Sequence, residues 1–127
     1  MANRRFNQFR LSLEPQIVDL FLHATFGAAG AVTLDASQSR GISSIVHDGA
    51  GTYTITLQDV YNRLMMVNKL AIGGSAPAAP DMRLYTDAVS SNVSPSIAVV
   101  FSVGGVDTNP ASGEEIRIQI SVKNSSV

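Results

Sequence analysis

Glu115-Ile116-Arg117-Ile118-Gln119-Ile120-Ser121-Val122-Lys123 alternates apolar and polar side chains without a break. Successive residues of a β-strand point to opposite faces, so Ile116, Ile118, Ile120 and Val122 share one side. Arg117, Gln119, Ser121 and Lys123 share the other. A helical repeat of 3.6 would scatter the same apolar residues around the axis. The segment therefore predicts a strand with one face in a core and one in water.

The same period runs backward along the chain. Ile97, Val99, Phe101 and Val103 alternate, and a polar loop with Pro110 over 104–113 separates them from the last strand. Met82–Val89 reads as a strand followed by a Ser/Asn turn. Arg63–Ile72 places Leu64, Met66, Leu70 and Ile72 on one face and Arg63, Met65, Val67 and Lys69 on the other. Residues 73–80, Gly-Gly-Ser-Ala-Pro-Ala-Ala-Pro, form a loop or hairpin tip stiffened by Pro77 and Pro80. Ile42–His47 and Thr52–Leu57 flank Asp48-Gly49-Ala50-Gly51, a strong hairpin signal because glycine reaches positive φ without a steric penalty. Tyr53, Ile55 and Leu57 point one way in the second of these strands. Ala31–Leu34 reads as a short strand between the loops 27–30 and 35–41. Ile17–Phe26 also fits an amphipathic helix through Ile17, Leu20, Phe21 and Ala24, but Phe21, Thr25 and Phe26 favour a pleated surface.

About eight strands joined by Gly- and Pro-bearing turns predict an all-β fold, an antiparallel β-sandwich. A jelly-roll-like arrangement is the first expectation and an immunoglobulin-like one the second, the latter without its Cys…Trp…Cys signature. The chain has 127 residues, the size of one domain. Residues 13–127 read as that single domain and 1–12 as an extended N-terminal arm. Arg4, Arg5 and Arg10 alternate in the arm with Phe6, Phe9 and Leu11.

Composition narrows the function classes. No Cys is present, so neither a disulfide framework nor a thiolate metal site is available. Charged residues make up 15% against a usual quarter, and the net charge is -1, which gives a nucleic-acid or membrane-surface role no electrostatic support. Such a weakly charged surface tolerates close assembly. The arginines of the N-terminus are not followed by the apolar run of a secretory signal, and no stretch approaches a membrane span.

The chemistry expected of an enzyme is missing from the pattern. Of the two histidines, His23 falls on the less apolar face of its strand and His47 at a hairpin edge beside Asp48, so surface and turn roles are expected. No serine lies in a Gly-x-Ser-x-Gly elbow. Glu114-Glu115 would face opposite sides of a strand and reads as a solvated loop end rather than an acid/base pair. Asp107–Glu114 resembles a calcium loop only superficially, because Ala111 stands where a ligand belongs, Ser112 where glycine belongs and Ile118 where glutamate belongs. Gly27-Ala28-Ala29-Gly30 lacks the Lys-Ser/Thr of a phosphate loop. No catalytic, cofactor-binding or metal site is expected.

Residues Phe26–Asp35, Arg40-Gly41-Ile42, Gly51–Leu57 and Tyr61–Leu64, with Asp107–Gly113 and Lys123–Ser126, resemble a family of small all-β virion proteins of tailed bacteriophages. The resemblance rests on fold and turn residues. It implies a capsid cement or decoration protein, made in the host bacterial cytoplasm and carried on the capsid surface of the virion. Its implied partners are the major capsid protein and itself, as a dimer or trimer. The interface candidates are Arg4, Arg5, Phe6, Phe9 and Arg10 in the arm, Pro77 and Pro80 in the first loop, and Asp107 and Asn109 in the second. The alternative is a tail, baseplate or fibre component that contacts host polysaccharide. Without Trp, its aromatic platform would fall to Tyr53, Tyr61 or Tyr85, with Tyr53 pointing inward.

Overall fold

A computed structural model describes residues 17–72, 81–110 and 112–123. Among these residues nine strands run in chain order: β1 (Ile17–Phe26), β2 (Val32–Leu34), β3 (Ile42–Gly49), β4 (Thr52–Leu57), β5 (Arg63–Ile72), β6 (Asp81–Ala88), β7 (Ser96–Val103), β8 (Val106–Asp107) and β9 (Glu115–Lys123). One 3-10 turn, Ala28–Gly30, links β1 to β2. The expected antiparallel sandwich is the observed architecture. One sheet has the order β2-β1-β9-β5, the other β3-β4-β7-β6 with β8 also paired to β7. The helical alternative for 17–26 is excluded by nine registered pairs between β1 and β9.

Pairing is nested. β1 pairs with β9 and β4 with β7, while β5 and β6 flank the outer members of those pairs. The last strand thus lies inside its sheet, whereas the immunoglobulin order puts the last strand at an edge. The two-residue strand β8 sits within the 104–113 loop that the sequence reading left without structure.

The core follows the alternation that predicted it. Leu20, Leu22, Ala24 and Phe26 of β1 meet Ile116, Ile118, Ile120 and Val122 of β9, facing Tyr53, Ile55, Leu57, Ile97, Val99 and Phe101 of the other sheet. Burying each such large side chain stabilises the fold by roughly 1.5–3 kcal/mol. Phe26, Tyr53 and Phe101 close one end edge-to-face, at centroid distances of 5.2, 5.6 and 6.0 Å. Gly51 holds φ +71 where a Cβ would strike the Phe101 carbonyl oxygen, so the β3–β4 hairpin needs glycine there.

β5 departs from the expected facing. The alternation put Leu64, Met66, Leu70 and Ile72 together, but a bulge between Leu64 and Met66 shifts the phase by one residue. Leu64 and Val67 pack on the core, while Met66, Leu70 and Ile72 are exposed on the outer face. A second bulge between Leu84 and Thr86 interrupts β6. Among the described residues no helix is long and apolar enough to cross a membrane, which says nothing of a β-barrel.

Candidate functional site

Of the interface candidates, Arg4, Arg5, Phe6, Phe9, Arg10, Pro77 and Pro80 lie outside the described residues. The arm as a whole lies there too. Asp107 is on β8, exposed, with its Oδ1 3.7 Å from Arg83 Nη2. Asn109 turns inward. Its Oδ1 accepts the Gly51 N–H at 2.7 Å and lies 3.0 Å from His47 Nε2. The His47 ring in turn sits 4.9 Å from the Tyr53 ring, whose hydroxyl donates to the Gly30 carbonyl at 2.8 Å. This end of the sandwich is a closed polar knot that ties three loops together. Burial pushes the Tyr53 phenol up to about 12.

The outer face of the first sheet is more open. β9 is its centre, and the register aligns Phe21 with Gln119 and Asn68 in one row and His23 with Arg117 and Leu70 in the next. The loop 35–41 folds back over the β1 side. Arg40 exchanges main-chain hydrogen bonds with Phe21 at 2.7 and 3.0 Å, and Ser39 Oγ accepts the His23 N–H at 3.0 Å. Gly41 makes the return possible at φ +78, since a Cβ there would come within 2.5 Å of Leu20 Cδ2. A groove of about 400 Å³ results, with Gln38 on one wall and Asn68 and Leu70 on the other.

His23 was expected at the surface and is instead only 7% exposed, because the returning loop covers it. Its Nε2 is 3.3 Å from Glu115 Oε2 and its Nδ1 3.5 Å from Asp35 Oδ2. Nδ1 is buried and has no hydrogen-bond partner. The Asp35 carboxyl is held below the ordinary carboxylate value, first by the Ser37 hydroxyl at 2.6 Å, with the His23 ring contributing less. Glu114 was expected in solvent but is buried, its main-chain carbonyl accepting the Phe26 N–H.

Both nitrogens of the His23 ring face carboxylates, and the nearby Ser39 hydroxyl is engaged with the His23 main chain. The arrangement orients a loop; it does not pair a base with a nucleophile. Among the described residues no three His, Asp or Glu side chains group to hold a metal ion. Of the three tyrosines only Tyr85 is exposed. Sequence reading missed the groove because its rows join residues roughly fifty to a hundred positions apart; the one visible sign was the polar face of 115–123. No family model, no curated protein and no solved structure matches the chain.

Proposed function

We propose that this chain is a structural protein of a tailed-phage particle, a cement or decoration protein that binds the outside of the shell and bridges neighbouring major capsid subunits. It acts as a dimer or trimer, and its place is the capsid surface. The observation that supports an assembly role is β5. Among the described residues this ten-residue strand has β9 on one side and no strand on the other. It carries Met66 at 57% and Leu70 at 59% exposure, with Ile72 beside them. A long edge with apolar side chains is a template for pairing with another chain, and monomeric proteins normally blunt it. Beyond the bulge at Leu64, the regular edge over Met66–Ile72 offers roughly 20 Å of main chain for strand addition. Repetition over a lattice multiplies a modest contact into firm attachment.

The test is co-sedimentation of the full chain with expanded, genome-free shells, with tails as the parallel target. Saturable binding to shells at a fixed ratio to the major capsid protein is expected. Met66→Lys with Ile72→Lys should weaken it at least about tenfold, because charge is placed in an apolar contact. Binding to tails alone, or to neither, refutes the cement role.

A further inference from the structure

We infer that the groove on the outer face of the first sheet is a saccharide site, and that its ligand is a glycan chain bearing a carboxylate, as in a uronic acid. The inference goes beyond the assembly role and is tested on the free chain; Leu70 of the groove wall stands on the same face as Met66 and Ile72, so a shell seated there covers one side of the groove.

The argument begins with the charge of Arg117. Its neighbours on the sheet face are Glu115 two residues away and the Asp35 of the covering loop. Both carboxylates turn to His23, at 3.3 and 3.5 Å, and Asp35 also binds Ser37. His23 thereby draws the local acids away from Arg117, whose exposed guanidinium has no ion pair or side-chain hydrogen bond among the described residues. A planar fork left in this state is suited to bidentate capture of a carboxylate. The His23 ring lines the same groove, with its buried Nδ1 facing Asp35 Oδ2 at 3.5 Å.

The rest of the lining selects the body of the ligand. Gln38, Asn68 and Gln119 are three carboxamides around one groove, and none makes a side-chain hydrogen bond among the described residues. Each amide offers donors and an acceptor together, which matches vicinal hydroxyls that are themselves both. Phe21, 46% exposed, and Leu70 supply the apolar surface against which the C–H face of a sugar ring rests. The volume of about 400 Å³ lies at the lower end of ligand sites, which suits a disaccharide unit. The lining spans three strands and two rows, roughly 10 by 7 Å, and lies on an open face that a longer chain can cross. A bare anion would leave the three amides and the apolar wall unused.

The experiment is a ¹H–¹⁵N titration of the full chain with a glucuronate–N-acetylglucosamine disaccharide, the neutral N,N′-diacetylchitobiose, free glucuronate and sodium acetate. The acidic disaccharide should shift the Phe21 and Gln119 amides and the Asn68 side-chain NH₂ saturably, and the neutral disaccharide should bind at least about tenfold more weakly, the worth of one charge-assisted contact. Arg117→Met should remove that difference while leaving the thermal midpoint in place, because the side chain has no partner among the described residues. Gln119→Ala should weaken both sugars. The inference is overturned by acetate giving the same shifts at the same affinity, by equal binding of the two disaccharides, by free glucuronate matching the disaccharide, or by no saturable change in the groove.

Discussion

Asn109→Ala should unfold more easily by about 2–4 kcal/mol. The side-chain oxygen accepts from the buried Gly51 amide at 2.7 Å and meets His47 Nε2 at 3.0 Å. Truncation leaves the N–H of the buried Gly51 without its partner, at a cost of about 1–3 kcal/mol, and removes a second contact worth about 1 kcal/mol. For 127 residues, unfolding entropy near 2.1 cal/mol/K per residue turns that loss into a fall in Tm of about 7–15 °C. Urea unfolding followed by circular dichroism should show a lower midpoint with an unchanged slope. Asn109→Asp keeps the acceptor and should lose less than about 1 kcal/mol. Asp107→Asn, two residues away, breaks only an exposed contact at 3.7 Å and should cost less than about 0.5 kcal/mol. If Asn109→Ala were as mild as Asp107→Asn, the inward knot would not hold the 104–113 loop, and Asn109 would be available to a partner.

Tyr53→Phe should cost about 1–2 kcal/mol, because the hydroxyl that satisfies the buried Gly30 carbonyl is lost; chemical denaturation measures it. In the wild type the Tyr53 phenol should ionise only around pH 12, seen as a late step in ultraviolet absorbance. Because its folded value is raised above the ordinary 10, the stability it contributes is complete below pH 10 and is lost as pH rises toward 12. Asp35 works in the opposite direction. Its folded value is lowered, so its contribution is present above the ordinary 3.8 and fades as pH falls through the folded value. A carboxyl NMR titration should place Asp35 below 3.8, and Ser37→Ala should move it back up; no movement would remove the Ser37 hydroxyl as the main cause.

The strands were legible because an unbroken period of two has one solution. In Glu115–Lys123 the inward Ile116, Ile118, Ile120 and Val122 read correctly, and so did the inward Tyr53, Ile55 and Leu57, whereas Lys123, expected in water at the end of the strand, is buried. The hairpin between β3 and β4 was equally plain, because Gly51 at positive φ is a local requirement, although Asp48 and Gly49, read as part of the turn, continue β3. Arg63–Ile72 was read with the wrong facing. A bulge inserts one residue, and a period of two cannot signal where its own phase is broken; only pairing with β9 places the break after Leu64. The burial of His23 likewise depends on a loop returning from residue 35 to residue 41, which a polar stretch of sequence does not announce. The side chains of the groove come from β1, β5, β9 and that loop, so their adjacency exists only once the terminal strands close the sheet. Local alternation and turn chemistry act over a few residues and were therefore determined by the sequence alone. Phase, covering loops and the company each polar group keeps arise from contacts across the sheet, and tertiary structure decided them.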